Sequence, residues 1–256
     1  MRTVVLLFLF VASPASAQVR RVLFVGNSLT YTNDLPAMVR TVAAQTGDDL
    51  VVASATGPNL ALIDHLHGAS DAAARITNGR WDFVVLQQGP TTVQMCRDSL
   101  IGWTRTFDTL ARAAGGRPAL LMTWPAAGEP ELFDATRGSF EEAAGAVGGV
   151  FIPAGEAWRI ALAADSGIGL YGPDGFHPSA TGTWLAAMVI VERLSGRDVR
   201  ALRPVTPAIP GIHPLAAERV RLLQRAAHDA NQRYPAHPPA NTVVPPGRVV
   251  PGLDRC

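Results

Sequence analysis

The chain has 256 residues with 22 basic and 21 acidic side chains, and its formal net charge at pH 7 is +1. Every basic residue is an arginine, which excludes chemistry that needs a lysine, such as a protein Schiff base or a P-loop phosphate site. The arginines form no basic tail or stripe, so we expect no nucleic-acid partner.

The first 17 residues have the order of features found in a secretory signal peptide. Arg2 is followed by an apolar stretch at 4–12 and by the small residues of Ala15-Ser16-Ala17. The apolar stretch is shorter than the ~20 residues of a membrane-spanning helix, which disfavours the alternative of an uncleaved anchor. We therefore expect cleavage after Ala17, a secreted or periplasmic protein, and no stable membrane anchor after cleavage.

The chain then alternates apolar runs with amphipathic stretches. The apolar runs predict strands at 21–25, 49–54, 81–88, 118–124 and 149–153. The amphipathic stretches predict helices at 34–45, 60–76, 99–114, 133–147 and 179–194. Strands that are almost continuously apolar are typical of a mostly parallel sheet covered on both faces. The pattern predicts an α/β protein with three layers, α/β/α, around a five-stranded sheet.

The composition changes after residue 203, where proline becomes frequent. We predict one α/β domain over 18–205 and a Pro-rich C-terminal extension over 206–256. The extension contains one predicted helix at about 214–232 and an extended or disordered tail from 235 onward. Cys96 and Cys256 could pair in an oxidising compartment; neither has metal-ligand spacing.

Polar residues at the ends of the predicted strands are the candidate functional groups, because ligands bind at the carboxyl ends of parallel strands. Ser28 follows the first strand, and "YGPDGFHPSATG" precedes the last core helix. Serine needs a base to become a nucleophile, and histidine is suited to that task. Asp174 lies three residues before His177, so a short loop could fold its carboxylate against Nδ1 and leave Nε2 for Ser28. The remaining candidates at strand ends are Asn27, Gly57, Asn59, Gln87, Gln88 and Trp124.

Each short motif also has an ordinary structural interpretation. Gly-Asn-Ser after a strand is a common turn and helix cap, and Asp-Gly before His-Pro-Ser is a good turn and helix start. Trp124 could stack on a sugar or belong to the core. The occurrence of all these motifs, in this order, in one α/β chain favours the catalytic interpretation.

This arrangement resembles the SGNH, or GDSL-type, hydrolases, which are esterases, lipases and carbohydrate deacetylases on a flavodoxin-like fold. Gly26-Asn27-Ser28 is similar to the first family block, and Asp174-Gly175-Phe176-His177 is similar to the last. The resemblance covers about residues 21–195. It implies a nucleophile at Ser28, a base at His177, an orienting carboxylate at Asp174, and oxyanion donors from the amides of Ser28 and Gly57.

The sequence departs from the family pattern at two places. Asn27 stands where the family has aspartate, which leaves the nucleophile itself unchanged. The third block, Gly-x-Asn-Asp in the family, is replaced by "LQQGPTT". Either Thr91 occupies the position of the asparagine, or a glutamine amide replaces it, as in a branch of bacterial proteins that this chain resembles. We favour Gln87 over Gln88 as that oxyanion donor.

The resemblance implies hydrolysis of short-chain acyl or O-acetyl esters, with a small-molecule or glycan ester as the partner, and with Asn27, Asn59 and Trp124 near the substrate. Two alternatives stay open: a catalytically silent module that binds glycans, and an acyltransferase with the same triad. We expect no cofactor and no metal. His65 and His67 are spaced i, i+2, which turns them to different faces of a helix, so we interpret them as solvated or partly packed.

Overall fold

The computed structural model describes residues 20–208 and 210–240, and its centre is a five-stranded sheet. The strands are β1 (Arg20–Gly26), β2 (Leu50–Thr56), β3 (Phe83–Leu86), β4 (Arg117–Leu121) and β5 (Val150–Ile152). Their order in the sheet is β2-β1-β3-β4-β5, and every neighbouring pair is parallel. This order brings the carboxyl ends of the central strands, β1 and β3, to one edge.

Nine α-helices cover the two faces of the sheet within the described residues. They are α1 (Ser28–Tyr31), α2 (Leu35–Gln45), α3 (Leu62–Leu66), α4 (Ala72–Asn78), α5 (Gln94–Ala113), α6 (Phe133–Val147), α7 (Ala154–Ala164), α8 (Ala180–Ser195) and α9 (Ala217–Arg233). Helices α2, α7, α8 and α9 contact one another on one face, and α3 to α6 form the layer on the other. The predicted three-layer α/β/α architecture is confirmed, and the sheet is entirely parallel.

The apolar runs form strands because both of their faces are covered. Residues 22–25 of β1 and 83–86 of β3 are all buried, as parallel strands between two helical layers require. The longest core helix, α8, is buried along most of its length and lies directly after the loop that carries His177. The sheet and α8 therefore fix both segments that contribute to the candidate site.

Three details of the helices differ from the prediction. The stretch 60–76 is two short helices, α3 and α4, because the chain turns between them at Gly68, whose φ is +90°. Helix α7, which buries Trp158, is not among the predicted helices. Helix α5 begins at Gln94, five residues earlier than expected.

The beginning of the Pro-rich tail is packed on the domain. After α9, the carbonyl of Ala236 accepts a hydrogen bond of 2.8 Å from the N–H of Phe151, and His237 Nδ1 lies 3.0 Å from the carbonyl of Gly149. These contacts cover the edge strand β5. The predicted signal peptide, the rest of the tail and Cys256 lie outside the described residues, so cleavage and the Cys96–Cys256 disulfide stay predictions. The boundary at 205 also stays a prediction.

No helix within 20–208 and 210–240 combines the length and the apolar character that a bilayer crossing requires.

Candidate active site

Ser28 lies at the carboxyl end of β1, where the strand turns directly into α1. The side chain of Asn27 caps this helix, since its Oδ1 accepts a hydrogen bond of 3.1 Å from the N–H of Leu29. A Cβ on Gly26 would clash with the side chains of Gln87 and Thr30, so glycine lets both side chains pack directly against this turn. Gly26-Asn27-Ser28 therefore caps α1 and also positions the serine hydroxyl.

His177 and Asp174 complete a hydrogen-bonded chain that ends on the serine. His177 Nε2 lies 2.9 Å from Ser28 Oγ, and His177 Nδ1 lies 2.5 Å from Asp174 Oδ2. The other carboxylate oxygen, Oδ1, accepts the N–H groups of Phe176 and His177, both at 3.0 Å. The hydrogen bond from His177 is the main cause that lowers the pKa of Asp174 to about 2. The carboxylate is therefore ionised at neutral and mildly acidic pH and holds the imidazole with Nδ1 protonated.

The loop that carries Asp174 and His177 is clamped by the segment after β4. The Trp124 Nε1–H donates to the carbonyl of Phe176 at 3.1 Å, and the Tyr171 hydroxyl donates to the carbonyl of Pro125 at 2.9 Å. Burial raises the pKa of Tyr171 to about 12, so its hydroxyl keeps the proton that it donates. The N–H of Ala127 adds a bond of 2.8 Å to the carbonyl of Gly175.

Asn33 ties the same loop to the helical corner that follows Ser28. Its amide nitrogen lies 2.9 Å from the carbonyl of Pro178 and 2.9 Å from Thr183 Oγ1. Asn33 has a φ of +56°, in the left-handed region that asparagine tolerates better than most residues. Asn33 is not among the residues predicted from the sequence, although its place in the polar turn "TND" was the available signal.

The side chain of Gln87 stabilises the Ser28 turn through hydrogen bonds to Asn27 and Thr30. Its Oε1 accepts hydrogen bonds from the N–H of Asn27 at 2.9 Å and from the Thr30 hydroxyl at 2.8 Å. Its Nε2 donates to Asn27 Oδ1 at 3.0 Å, which uses one of the two amide hydrogens. The oxyanion role of Gln87 stays a prediction. That role would use the second amide hydrogen on Nε2.

Gln88 and Thr91 form hydrogen bonds with each other and not with the Ser28 turn. Gln88 Nε2 donates to Thr91 Oγ1 at 3.1 Å, and Gln88 Oε1 accepts from the N–H of Leu62 at 3.2 Å. Both residues are buried, and together they join the loop after β3 to the start of α3. Of the two glutamines, only Gln87 contacts the Ser28 turn through described hydrogen bonds.

The geometry does not support a free oxyanion amide at Gly57. Its N–H donates to the carbonyl of Gly26 at 3.3 Å, because the ladder between β1 and β2 continues one residue past Thr56. The N–H of Ser28, in contrast, has no acceptor within the described part of the chain. Of the two predicted backbone donors, Ser28 is the one that is available.

Two predicted substrate contacts are corrected by the structure. Asn27 is 6% exposed, and its side-chain oxygen and nitrogen bind Leu29, Gln87 and the carbonyl of Leu60, so it builds the turn. Trp124 is 2% exposed and stacks on Trp158 with ring centroids 3.6 Å apart, which leaves no face for a sugar. Asn59 is exposed in the loop after β2, with a φ of +57°.

The interpretation of the two histidines is wrong for His65. This residue is buried, with Nε2 at 3.2 Å from the carbonyl of Gly26 and Nδ1 at 2.6 Å from Ser70 Oγ. Desolvation lowers its pKa, so the imidazole is neutral and braces the strand end before Ser28. His67 packs its edge against Trp103 at 5.9 Å.

One group of described residues has the side chains to hold a cation: Glu192, Asp198 and His228, between α8 and α9. Its atoms already satisfy one another. His228 Nδ1 lies 2.7 Å from Glu192 Oε1, the N–H of Val199 donates to Glu192 Oε2, and Arg200 pairs with Asp198. This group is therefore accounted for as an ion-pair network that joins the two helices.

A protein from Slackia heliotrinireducens that is described as an SGNH hydrolase is 27% identical to this chain, with a TM-score of 0.57. The match covers 70% of this chain and 100% of that protein. The chain belongs to the SGNH/GDSL hydrolase superfamily.

Solved structures with lower sequence identity to this chain also share its fold. A DUF4886 family protein from Bacteroides uniformis matches 88% of this chain and 98% of its own length, at 18% identity and a TM-score of 0.66. An acetylxylan esterase from Geobacillus stearothermophilus, solved as a catalytic mutant, matches 69% of this chain and 94% of its own length, at 14% identity and a TM-score of 0.53. No family model matches the sequence, and no curated protein matches it.

The Gln87 contacts predict a measurable loss of stability. Gln87→Leu keeps the side-chain volume but leaves the buried N–H of Asn27 without an acceptor, so we expect the free energy of unfolding to fall by about 2–3 kcal/mol. Urea unfolding measures this loss. The matched control is Gln94→Leu on the exposed start of α5, which should change stability by less than ~0.5 kcal/mol. Equal stability of the two variants would contradict the bracing role.

Proposed function

We propose that this SGNH protein hydrolyses carboxylic esters through an acyl-enzyme on Ser28. The observation that carries the proposal is the chain of two short hydrogen bonds from Asp174 through His177 to Ser28 Oγ. A serine, a base within hydrogen-bond reach and a group that orients the base are the parts that nucleophilic acyl transfer needs.

The mechanism follows from the position of each proton. Ser28 Oγ attacks the ester carbonyl carbon while His177 Nε2 accepts the hydroxyl proton, and Asp174 stabilises the resulting imidazolium. The oxyanion receives the N–H of Ser28 and the second amide hydrogen of Gln87. His177 Nε2 then protonates the leaving alcohol as the C–O bond breaks. Water attacks the acyl-enzyme with His177 as base, and the acid product leaves with Ser28 reprotonated.

We propose short-chain acyl or O-acetyl esters, including those on carbohydrates, as substrates. The fold shared with an acetylxylan esterase supports this class, as does the predicted signal peptide, which would expose the protein to envelope or external esters. A silent glycan-binding module would not need an aligned base and nucleophile. An acyltransferase would use the same triad with a second hydroxyl in place of water.

Ser28→Ala tests the nucleophile. Because the variant has no atom to form the acyl-enzyme, we expect hydrolysis of p-nitrophenyl acetate to fall by at least about 10³-fold. Ser195→Ala, at the far end of α8, should keep the activity of the parent protein. Retained hydrolysis in Ser28→Ala would refute the mechanism. Binding of acetylated glycans without hydrolysis by the parent protein would favour the silent module.

Asp174→Asn tests the orienting carboxylate. The amide is neutral and can bind the wrong histidine tautomer, so we expect kcat to fall by about 10³–10⁴-fold with KM little changed. The lowered pKa of Asp174 means that the parent carboxylate stays charged at mildly acidic pH. Protonation of Asp174 should therefore contribute no loss of parent activity at mildly acidic pH, measured as kcat/KM against pH. An unchanged kcat in Asp174→Asn would contradict the orienting role of the carboxylate.

A further inference from the structure

The surface beside His177 contains a groove with two parts. Its first part is a cavity of about 760 Å³ that is lined by Asn33, Asp174, His177 and Gly211 among others. Its second part is a cavity of about 730 Å³ that is lined by Asn33, Ala37, Met38 and Gly211 among others. Asn33 and Gly211 line both cavities, so the two are adjacent, and together they are called the groove.

The two walls of the groove come from different parts of the chain. One wall is the corner that follows Ser28 and the first turns of α2, with Asn33, Asp34, Ala37 and Thr41. The other wall contains Ala208, Pro210, Gly211 and His213, which lie beyond the five strands and α8. A hydrogen bond of 2.8 Å from the N–H of Leu215 to Thr206 Oγ1 joins the two ends of the segment that contains this second wall.

The residues that line the groove indicate which half of the ester it receives. The groove is lined by His177, whose Nε2 lies 2.9 Å from Ser28 Oγ. Gln87, the proposed oxyanion donor, is not among its lining residues. His177 Nε2 must protonate the leaving oxygen, so the alcohol half of the ester lies next to this ring. A long alcohol would extend from there into the groove.

The lining also indicates the chemistry of that alcohol. The described residues of the groove include two carboxylates, Asp34 and Asp174, and neither arginine nor lysine. An anionic alcohol would meet like charges at short range and find no cation to offset them. Ala37 and Pro210 give the far part of the groove an apolar lining, and Met38 is buried next to Ala37 in α2.

We infer that this groove binds the alcohol half of the substrate ester, and that it selects uncharged, extended alcohols with an apolar part that lies along Ala37 and Pro210. The inference rests on the proposed ester hydrolysis and adds the direction and the charge of the substrate. The groove makes the C-terminal extension a part of substrate selection.

Two isomeric esters separate the halves of the substrate at constant composition. Octyl acetate has its long chain on the alcohol, and ethyl octanoate has it on the acyl group. Burial of a methylene chain in the groove should make kcat/KM for octyl acetate roughly tenfold or more above that for ethyl octanoate, measured below the solubility limit of each ester. Equal values, or a preference for ethyl octanoate, would overturn the inference.

A groove-filling variant identifies the site of that preference. Ala37→Trp should lower kcat/KM for octyl acetate roughly tenfold and leave ethyl acetate, which does not reach the groove, unchanged. Ala44→Trp is the matched control, because Ala44 is an exposed alanine two turns further along α2. An equal loss in both variants, or an equal loss for both esters in Ala37→Trp, would overturn the assignment of the groove.

The charge selection has its own test. The ω-carboxylated analogue, ω-acetoxyoctanoate, should be hydrolysed at least about tenfold less efficiently than octyl acetate, and Asp34→Asn should reduce that difference. Asparagine tolerates the left-handed φ of +50° at this position and can still cap α2. An undiminished difference in Asp34→Asn would overturn the role of Asp34.

Ser28→Ala keeps the two proposals apart. Hydrolysis that depends on Ser28 but shows no preference for a long alcohol would overturn the groove assignment alone. Hydrolysis that persists in Ser28→Ala, or no hydrolysis of any ester by the parent protein, would overturn both proposals together.

Discussion

The hydrogen bond between Ser28 Oγ and His177 Nε2 is the contact on which the function of this protein depends. It joins residues that are 149 positions apart in the chain. The sheet fixes one partner, because Ser28 follows buried β1 without any intervening loop. Helix α8 fixes the other, because it begins two residues after Pro178 and is buried along most of its length. Two rigid elements therefore deliver a hydroxyl and an imidazole to the same edge.

The polar side chains around this hydrogen bond hold the Ser28 turn and the His177 loop in place. Gln87 and Asn27 bind each other and set the turn, while Trp124 and Asn33 bind carbonyls of the His177 loop. Such contacts matter because a triad works only when its atoms are held close to the reactive geometry. Several residues that the sequence suggested as substrate contacts belong to this supporting layer. The substrate surface lies further out, between α2 and the C-terminal extension.

The sequence predicted the strands, the layers and the pairing of Ser28 with His177, because apolar runs and short motifs are local signals. It could not predict that Asn27 and Trp124 are buried, since both lie at strand ends where a side chain can face either the site or the core. Gly57 was misjudged because a sequence does not show how far a strand ladder extends. The groove depends on a wall that contains Ala208, Pro210, Gly211 and His213, which no motif connects to Ser28.

Covalent labelling by a small fluorophosphonate tests the central claim most directly, because this reagent requires a serine that a neighbouring base has activated. The structure predicts one adduct per chain, mapped by peptide mass spectrometry to Ser28, and no adduct in His177→Ala with the fold retained. Absence of labelling in the parent protein, labelling at another serine, or equal labelling of Ser28 without His177 would contradict the account.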